Sequence, residues 1–109
     1  MNYLIGIDLG TSATKTVLFD ENGMVIASAS REYPMYQPQN GWAEQKPEDW
    51  REAALETITR VVKESGVDKD EIKGIGISGQ MHGLVMLDEN NEVIRPSIIW
   101  CDQRTAKEC

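Results

Sequence analysis

Two periods of apolar residues divide this 109-residue chain. Near the start, apolar residues run in short blocks: YLIGIDL, then TKTVLFD, then MVIASASREYPM. Their length, branched side chains and flanking turn formers predict strands over residues 3–9, 14–20 and 24–33. Asp-Glu-Asn-Gly between the second and third predicts a hairpin, so the three strands should form an antiparallel meander. The polar stretch YQPQNGWAEQKPEDW predicts a surface loop leading into a helix. Pro47 suits a first helical turn, and Glu48 and Asp49 suit its dipole. Trp50, Ala54, Ile58, Val61 and Val62 share one helical face, and Ser65-Gly66 is the stop, which predicts a helix over 47–64. IKGIGISG predicts a second buried strand over 72–78. A helix of this length makes a crossover that lays the strand parallel in the same sheet. GLVMLDENNEVIRPSIIW predicts another hairpin. MLDENNEVI echoes LFDENGMVI, but the flanks differ, so shared hairpin chemistry is expected and not a repeat. DQRTAKEC has the character of a helix's first turns, and a longer native chain is expected to continue it.

An apolar fraction of 40% supports a real core in this mixed α/β layer. The net charge of −7 argues against a broad basic surface for nucleic acid. It leaves a small anion open, because a few N–H groups and one cation can set a local field. Cys101 and Cys109 match no zinc spacing and are expected to be free thiols in a reducing compartment. No basic segment precedes the first apolar block, Asp8 interrupts it early, and no run reaches membrane-spanning length. A cytoplasmic protein with no membrane or nucleic-acid partner is expected.

Three stretches could carry chemistry. IGIDLGTSATK places Asp8 directly before Gly10, Thr11 and Ser12, with Lys15 just beyond. Gly-Thr-Ser offers close backbone approach, N–H groups and hydroxyls for a phosphate, yet a carboxylate beside it should repel that phosphate. The stretch is neither a P-loop nor Gly-x-Gly-x-x-Gly, and it lies between strands. The purely structural alternative is a hairpin with glycine for a positive φ and Asp8 as turn former. GISGQMHGL crowds Ser78, Gln80 and His82 at a strand's carboxyl end, where ligands gather in open α/β sheets. His82 is the sole histidine, which excludes a His-based metal cluster in this chain; ligand contact and a structural hydrogen bond both fit it. In SIIWCDQR, Trp100 followed by Asp102 and Arg104 can hold a sugar or belong to the core. Trp42, in the long loop, is either a binding residue or a packing one.

Together these stretches resemble the FGGY carbohydrate kinases, within the actin/hexokinase/Hsp70 superfamily. IGIDLGTSATK is similar to that superfamily's first phosphate-contacting motif, and GWAEQKPEDW to the family's Gly-Trp-x-Glu-x-x-Pro entry to its first helix. GIGISGQMHGLVMLDENNEVIRPSIIWCDQRT resembles the xylulokinases within the family. Glycerol kinases carry Asn-Gln-Arg-Glu where this chain has Gly79-Gln80-Met81-His82. The resemblance implies a ribonuclease-H-like, actin-like ATPase fold, with residues 1–109 as an incomplete first domain and the second domain absent. It implies ATP, Mg²⁺ and a sugar, D-xylulose before ribulose, gluconate or glycerol. A non-catalytic ATP-sensing domain of the same fold is the alternative from another class.

By the same resemblance, Asp8 anchors hydrated Mg²⁺, and the cation converts the repulsion into a bridge. Gly10, Thr11 and Ser12 donate to the β/γ-phosphates. Lys15 stands where relatives often have arginine, and supplies a point charge instead of a bidentate contact. Ala13 stands where some relatives have serine. Met81 and His82 contact the sugar with Gln80 in support, and Trp100 and Asp102 lie nearby. The family's catalytic base falls beyond Cys109, so none is assigned here. The 109 residues alone are expected to be inactive, and to self-associate through exposed strand edge and apolar surface.

Overall fold

The computed structural model describes residues 1–80, 85–99 and 101. Strands β1 (Tyr3–Leu9), β2 (Ala13–Asp20) and β3 (Val25–Glu32) form the expected meander. Helix α1 (Pro47–Ser65) follows, and β5 (Ile72–Gly79) returns parallel to β1. The sheet order is β3-β2-β1-β5. Between β3 and α1 lies a two-residue strand, β4 (Glu44–Gln45), which pairs with β6 (Ser97–Ile98) in a second small sheet.

Alternation along the strands sorts side chains onto two faces. Ile5, Ile7, Leu18 and Ala29 point to one face and are buried with Val61 of α1. Leu18 and Val61 have no exposed surface, and burying each contributes roughly 1.5–3 kcal/mol. The buried stripe of α1 is Ala53, Thr57 and Val61, flanked by Ile58 and Val62. It is therefore turned from the expected stripe, with Ala54 and Trp50 at its margin and a threonine at its centre. Hydrogen bonding explains this. Thr57 Oγ1 donates to Ala53 O at 2.7 Å, so the Thr16 hydroxyl, 2.7 Å away, must donate to Thr57. Gly66 ends the helix at φ 69°, with its N–H on Val62 O.

The two echoing segments form the same turn. Asp20 Oδ1 accepts from the N–H groups of Asn22 and Met24; Asp88 Oδ1 accepts from those of Asn90 and Glu92. Gly23 and Asn91 take the matching positive φ, 82° and 62°. The second hairpin is shorter than expected. Its described part makes one bridge, Leu87 to Val93, and Ser97–Ile98 leaves to pair with β4. Pro96 has no N–H to continue the ladder, which accounts for the change of partner. The stretch expected as a surface loop is likewise more ordered than its composition suggests. Ala43, Glu44 and Gln45 are buried, and Arg95 pairs with the Glu44 carboxylate. The expected helix from residue 102 lies outside the described residues.

Helix α1 lies mainly over β2 and β3. Ile75 and Ile77 share its side of the sheet, in register with Ile5 and Ile7, but α1 does not reach them. They stand 57% and 73% exposed.

The threonine pair gives an asymmetric prediction. Thr57→Val strands the buried Thr16 hydroxyl and should cost about 1–3 kcal/mol. Thr16→Val leaves Thr57 its bond to Ala53 and should cost less. Urea unfolding of both variants measures the difference; equal costs would contradict the assigned donor order.

Candidate functional site

Parallel pairing of β1 and β5 brings their carboxyl ends side by side, with Asp8 in register with Ser78 and Leu9 with Gly79. Antiparallel pairing sets Lys15 of β2 opposite Asp8. Asp8, Lys15 and Ser78 therefore share the face away from α1, and all three are exposed. They line one end of an open depression of about 560 Å³ whose other walls include Val17 and Phe19. Gly6 and Gly76 keep it open. A Cβ on Gly6 would come within 3.3 Å of the Phe19 ring.

The turn between β1 and β2 holds Gly10, Thr11 and Ser12. Gly10 is needed for close approach, not for a positive φ: its Cβ would sit 3.0 Å from Ala13 O. Its N–H donates to that same oxygen at 2.9 Å, so this donor is engaged within the turn. The carbonyls of the turn are held from inside the fold. Tyr33 donates its hydroxyl to Gly10 O and its N–H to Ser12 O, the latter at 3.1 Å. Gln45 donates its amide N–H to Thr11 O. Three consecutive carbonyl oxygens of the turn are thus occupied by donors from within the fold.

Neither Tyr33 nor Gln45 stood out in the sequence. Tyr33 closes a strand before a proline, and Gln45 sits in a polar stretch without periodicity. The one available signal for Gln45 was its place inside the Gly-Trp-x-Glu-x-x-Pro pattern. Gln80 is described and lies at the end of β5. Its Nε2 donates to Gln45 Oε1 at 2.7 Å, and its N–H to Leu9 O at 2.9 Å. Met81, His82, Trp100 and Asp102 lie outside the described residues.

The donor set suits a phosphate chain with a hydrated cation. Among the described residues there is no group of three His, Cys, Asp or Glu that could cage a metal. Mg²⁺ does not need one, since it keeps several waters and takes one or two carboxylates together with phosphate oxygens. The exposed carboxylate of Asp8, beside the turn, fits that requirement.

Burial raises the Tyr33 phenol above its ordinary value near 10; its bond with Thr14 opposes this, and the charge of Asp8 adds to it. A raised value favours the neutral, donating form in the folded state. The associated stability is complete below about pH 10 and is lost as pH rises through the folded value. Ultraviolet titration should show one late phenolate step that Tyr33→Phe removes. The same variant should cost about 1 kcal/mol through loss of the bond to Gly10.

Comparison with known proteins agrees with this geometry. Residues 3–109 match the FGGY family of carbohydrate kinases, N-terminal domain. The xylulose kinase of Bacillus subtilis is 50% identical over 109 residues, 100% of this chain and 22% of that protein. The ligand-bound xylulose kinase from Lactobacillus acidophilus superposes with a TM-score of 0.91 at 38% identity, covering 99% of this chain and 21% of that one. Gluconate kinase from the same organism superposes with a TM-score of 0.90, also at 38% identity, covering 98% of this chain and 21% of that one. The chain therefore spans about a fifth of the length of these relatives. Its mixed sheet, flanking helix and phosphate-suited turn have the actin-like ATPase architecture, and the chain belongs to the FGGY family of carbohydrate kinases.

Proposed function

We propose that the protein carrying these residues transfers the γ-phosphoryl group of ATP to a sugar hydroxyl, with O5 of D-xylulose as acceptor. Residues 1–109 serve as the N-terminal part of its first domain and do not complete the reaction alone. The observation that carries this proposal is the turn of residues 10–12, with its carbonyls tied inward, standing beside the β5 end that leads into Met81 and His82. In-line phosphoryl transfer depends on positioning and charge neutralisation, and this arrangement offers both.

In this proposal Thr11 and Ser12 donate to the phosphates, Lys15 adds a positive charge, and Asp8 orients the water shell of Mg²⁺. A hydrated Mg²⁺ held at Asp8 would supply neutralisation of phosphate charge. Gln80, Met81 and His82 hold the sugar, with Trp100 and Asp102 flanking it. Support for D-xylulose comes from the Met81-His82 pair and from the xylulose kinases among the relatives. A gluconate acceptor is the second reading, favoured by the equal identity to the gluconate kinase. A cytoplasmic location fits the free-thiol reading of the two cysteines. No helix among the described residues is long and apolar enough to cross a membrane.

ADP release by the full reading-frame product, with Mg-ATP and D-xylulose, D-ribulose, L-ribulose, gluconate or glycerol, tests the proposal. Turnover should be strongest with D-xylulose; dominance of gluconate would transfer the assignment to the second reading. Asp8→Asn should lower turnover roughly a hundredfold. His82→Ala should weaken sugar binding roughly tenfold and spare ATP.

Self-association of the isolated 109 residues belongs to the same proposal. Strand β5 is an outer strand of the four-stranded sheet, and its own Ile75 and Ile77 stand exposed. On a sizing column the segment should elute above its monomer size, and Ile75→Lys with Ile77→Lys should return it to monomer. A wild-type monomer would refute this.

A further inference from the structure

We propose that Gln45 is a positioning residue that locks the phosphate turn to the substrate end of β5 and makes Gln80 present its carbonyl oxygen to a ligand hydroxyl. The inference rests on the phosphoryl-transfer reading above and adds a residue and a hydrogen-bond polarity to it.

Gln45 has no exposed surface. Its Nε2 donates to Thr11 O, and its Oε1 accepts from Trp50 Nε1 at 3.0 Å and from Gln80 Nε2 at 2.7 Å. An indole N–H can only donate, and a peptide carbonyl can only accept. Trp50 and Thr11 therefore allow the Gln45 amide one orientation. With its oxygen turned toward Gln80, Gln80 must answer with its own N–H. The polarity runs from Trp50 and Thr11 through Gln45 to Gln80, and leaves Gln80 Oε1 as an acceptor without a donor.

That atom is buried and has no hydrogen-bond partner among the described residues. A buried acceptor without a donor is costly, and a hydroxyl-bearing ligand supplies the donor it lacks. The ligand class that follows is a polyol or sugar hydroxyl acting as donor at Gln80. A carboxylate or phosphate oxygen would meet the amide oxygen with repulsion. The same Gln45 side chain fixes Thr11, so loss of Gln45 is felt at both sites. Phosphoryl donor and acceptor must align closely, which gives such a tie a role in turnover.

A double-mutant cycle in the full reading-frame product tests the bridge. Gln45→Met keeps the volume and removes every hydrogen bond; Gln80→Met removes the second arm alone. Kd for Mg-ATP and KM for D-xylulose are measured separately. Gln45→Met should weaken both, each by roughly three- to tenfold, whereas Gln80→Met should weaken D-xylulose alone. On D-xylulose the double variant should be no worse than the poorer single one. Multiplying effects, or an unchanged ATP Kd in Gln45→Met, would overturn the inference. Should Gln45→Met fail to fold, Gln45→Asn, too short to span both arms, must reproduce the pattern or the inference falls. If the wild type turns over no sugar, the function reading fails separately, and the ATP Kd of Gln45→Met still decides the bridge: weakened binding supports it and unchanged binding overturns it.

Discussion

The turn from Gly10 to Ser12 has a built-in electrostatic conflict, and the surrounding residues resolve it. Three consecutive peptide carbonyls line the turn proposed above to hold phosphate, and each carries partial negative charge. Left facing a phosphate, they would oppose the N–H groups and hydroxyls of the same turn. Tyr33 takes two of them and Gln45 takes the third. Both residues are buried, so the bonds form in a low-dielectric setting where they are strong and where losing them is costly. The conformation of the turn depends on a strand end and on a two-residue strand more than thirty residues away.

That dependence explains why β4 exists. A two-residue strand contributes little stability by itself. Its pairing with β6, the bridge from Tyr36 to Glu44 and the ion pair from Arg95 to Glu44 hold Gln45 at one depth. From there its amide reaches Thr11 O in the turn of residues 10–12 on one side and Gln80 on the other. Arg95 reaches β4 from the segment just after the second hairpin, so this connection also pins Gln45. A stretch that looks like linker therefore ties the turn of residues 10–12 to the end of β5.

The two faces of the sheet have different histories of burial. One face is filled over β2 and β3 by α1, with threonines admitted to the core because their hydroxyls bond each other and the helix backbone. The same face over β5 is bare, with Ile75 and Ile77 exposed. The opposite face is cut down by Gly6 and Gly76, and opens as a trough toward Asp8, Lys15 and Ser78. Apolar surface without cover and a trough opened by two glycines are both features that a packing partner or a ligand would complete.

Local chemistry is what the sequence determined by itself. The strands of the four-stranded sheet and helix α1 came out within a residue or two, because alternation, Pro47 and Gly66 act over a few neighbours. The Asp-Glu-Asn turns were legible for the same reason: an aspartate bonds N–H groups two and four residues on, whatever surrounds it. Asp8 beside Gly10, Thr11 and Ser12 was visible as a candidate site because its spacing is local. The tertiary structure alone decided which carbonyls are tied down, because Tyr33 and Gln45 meet the turn from 20 to 35 residues away and neither position has a periodic signature. It also set the stripe of α1 on Thr57 rather than Ala54, since a threonine is admitted to a core only when a partner such as Thr16 is brought to it. The pairing of β6 with β4 was hidden likewise: Pro96 shows where a ladder must stop, but no local rule says which distant strand the chain joins next.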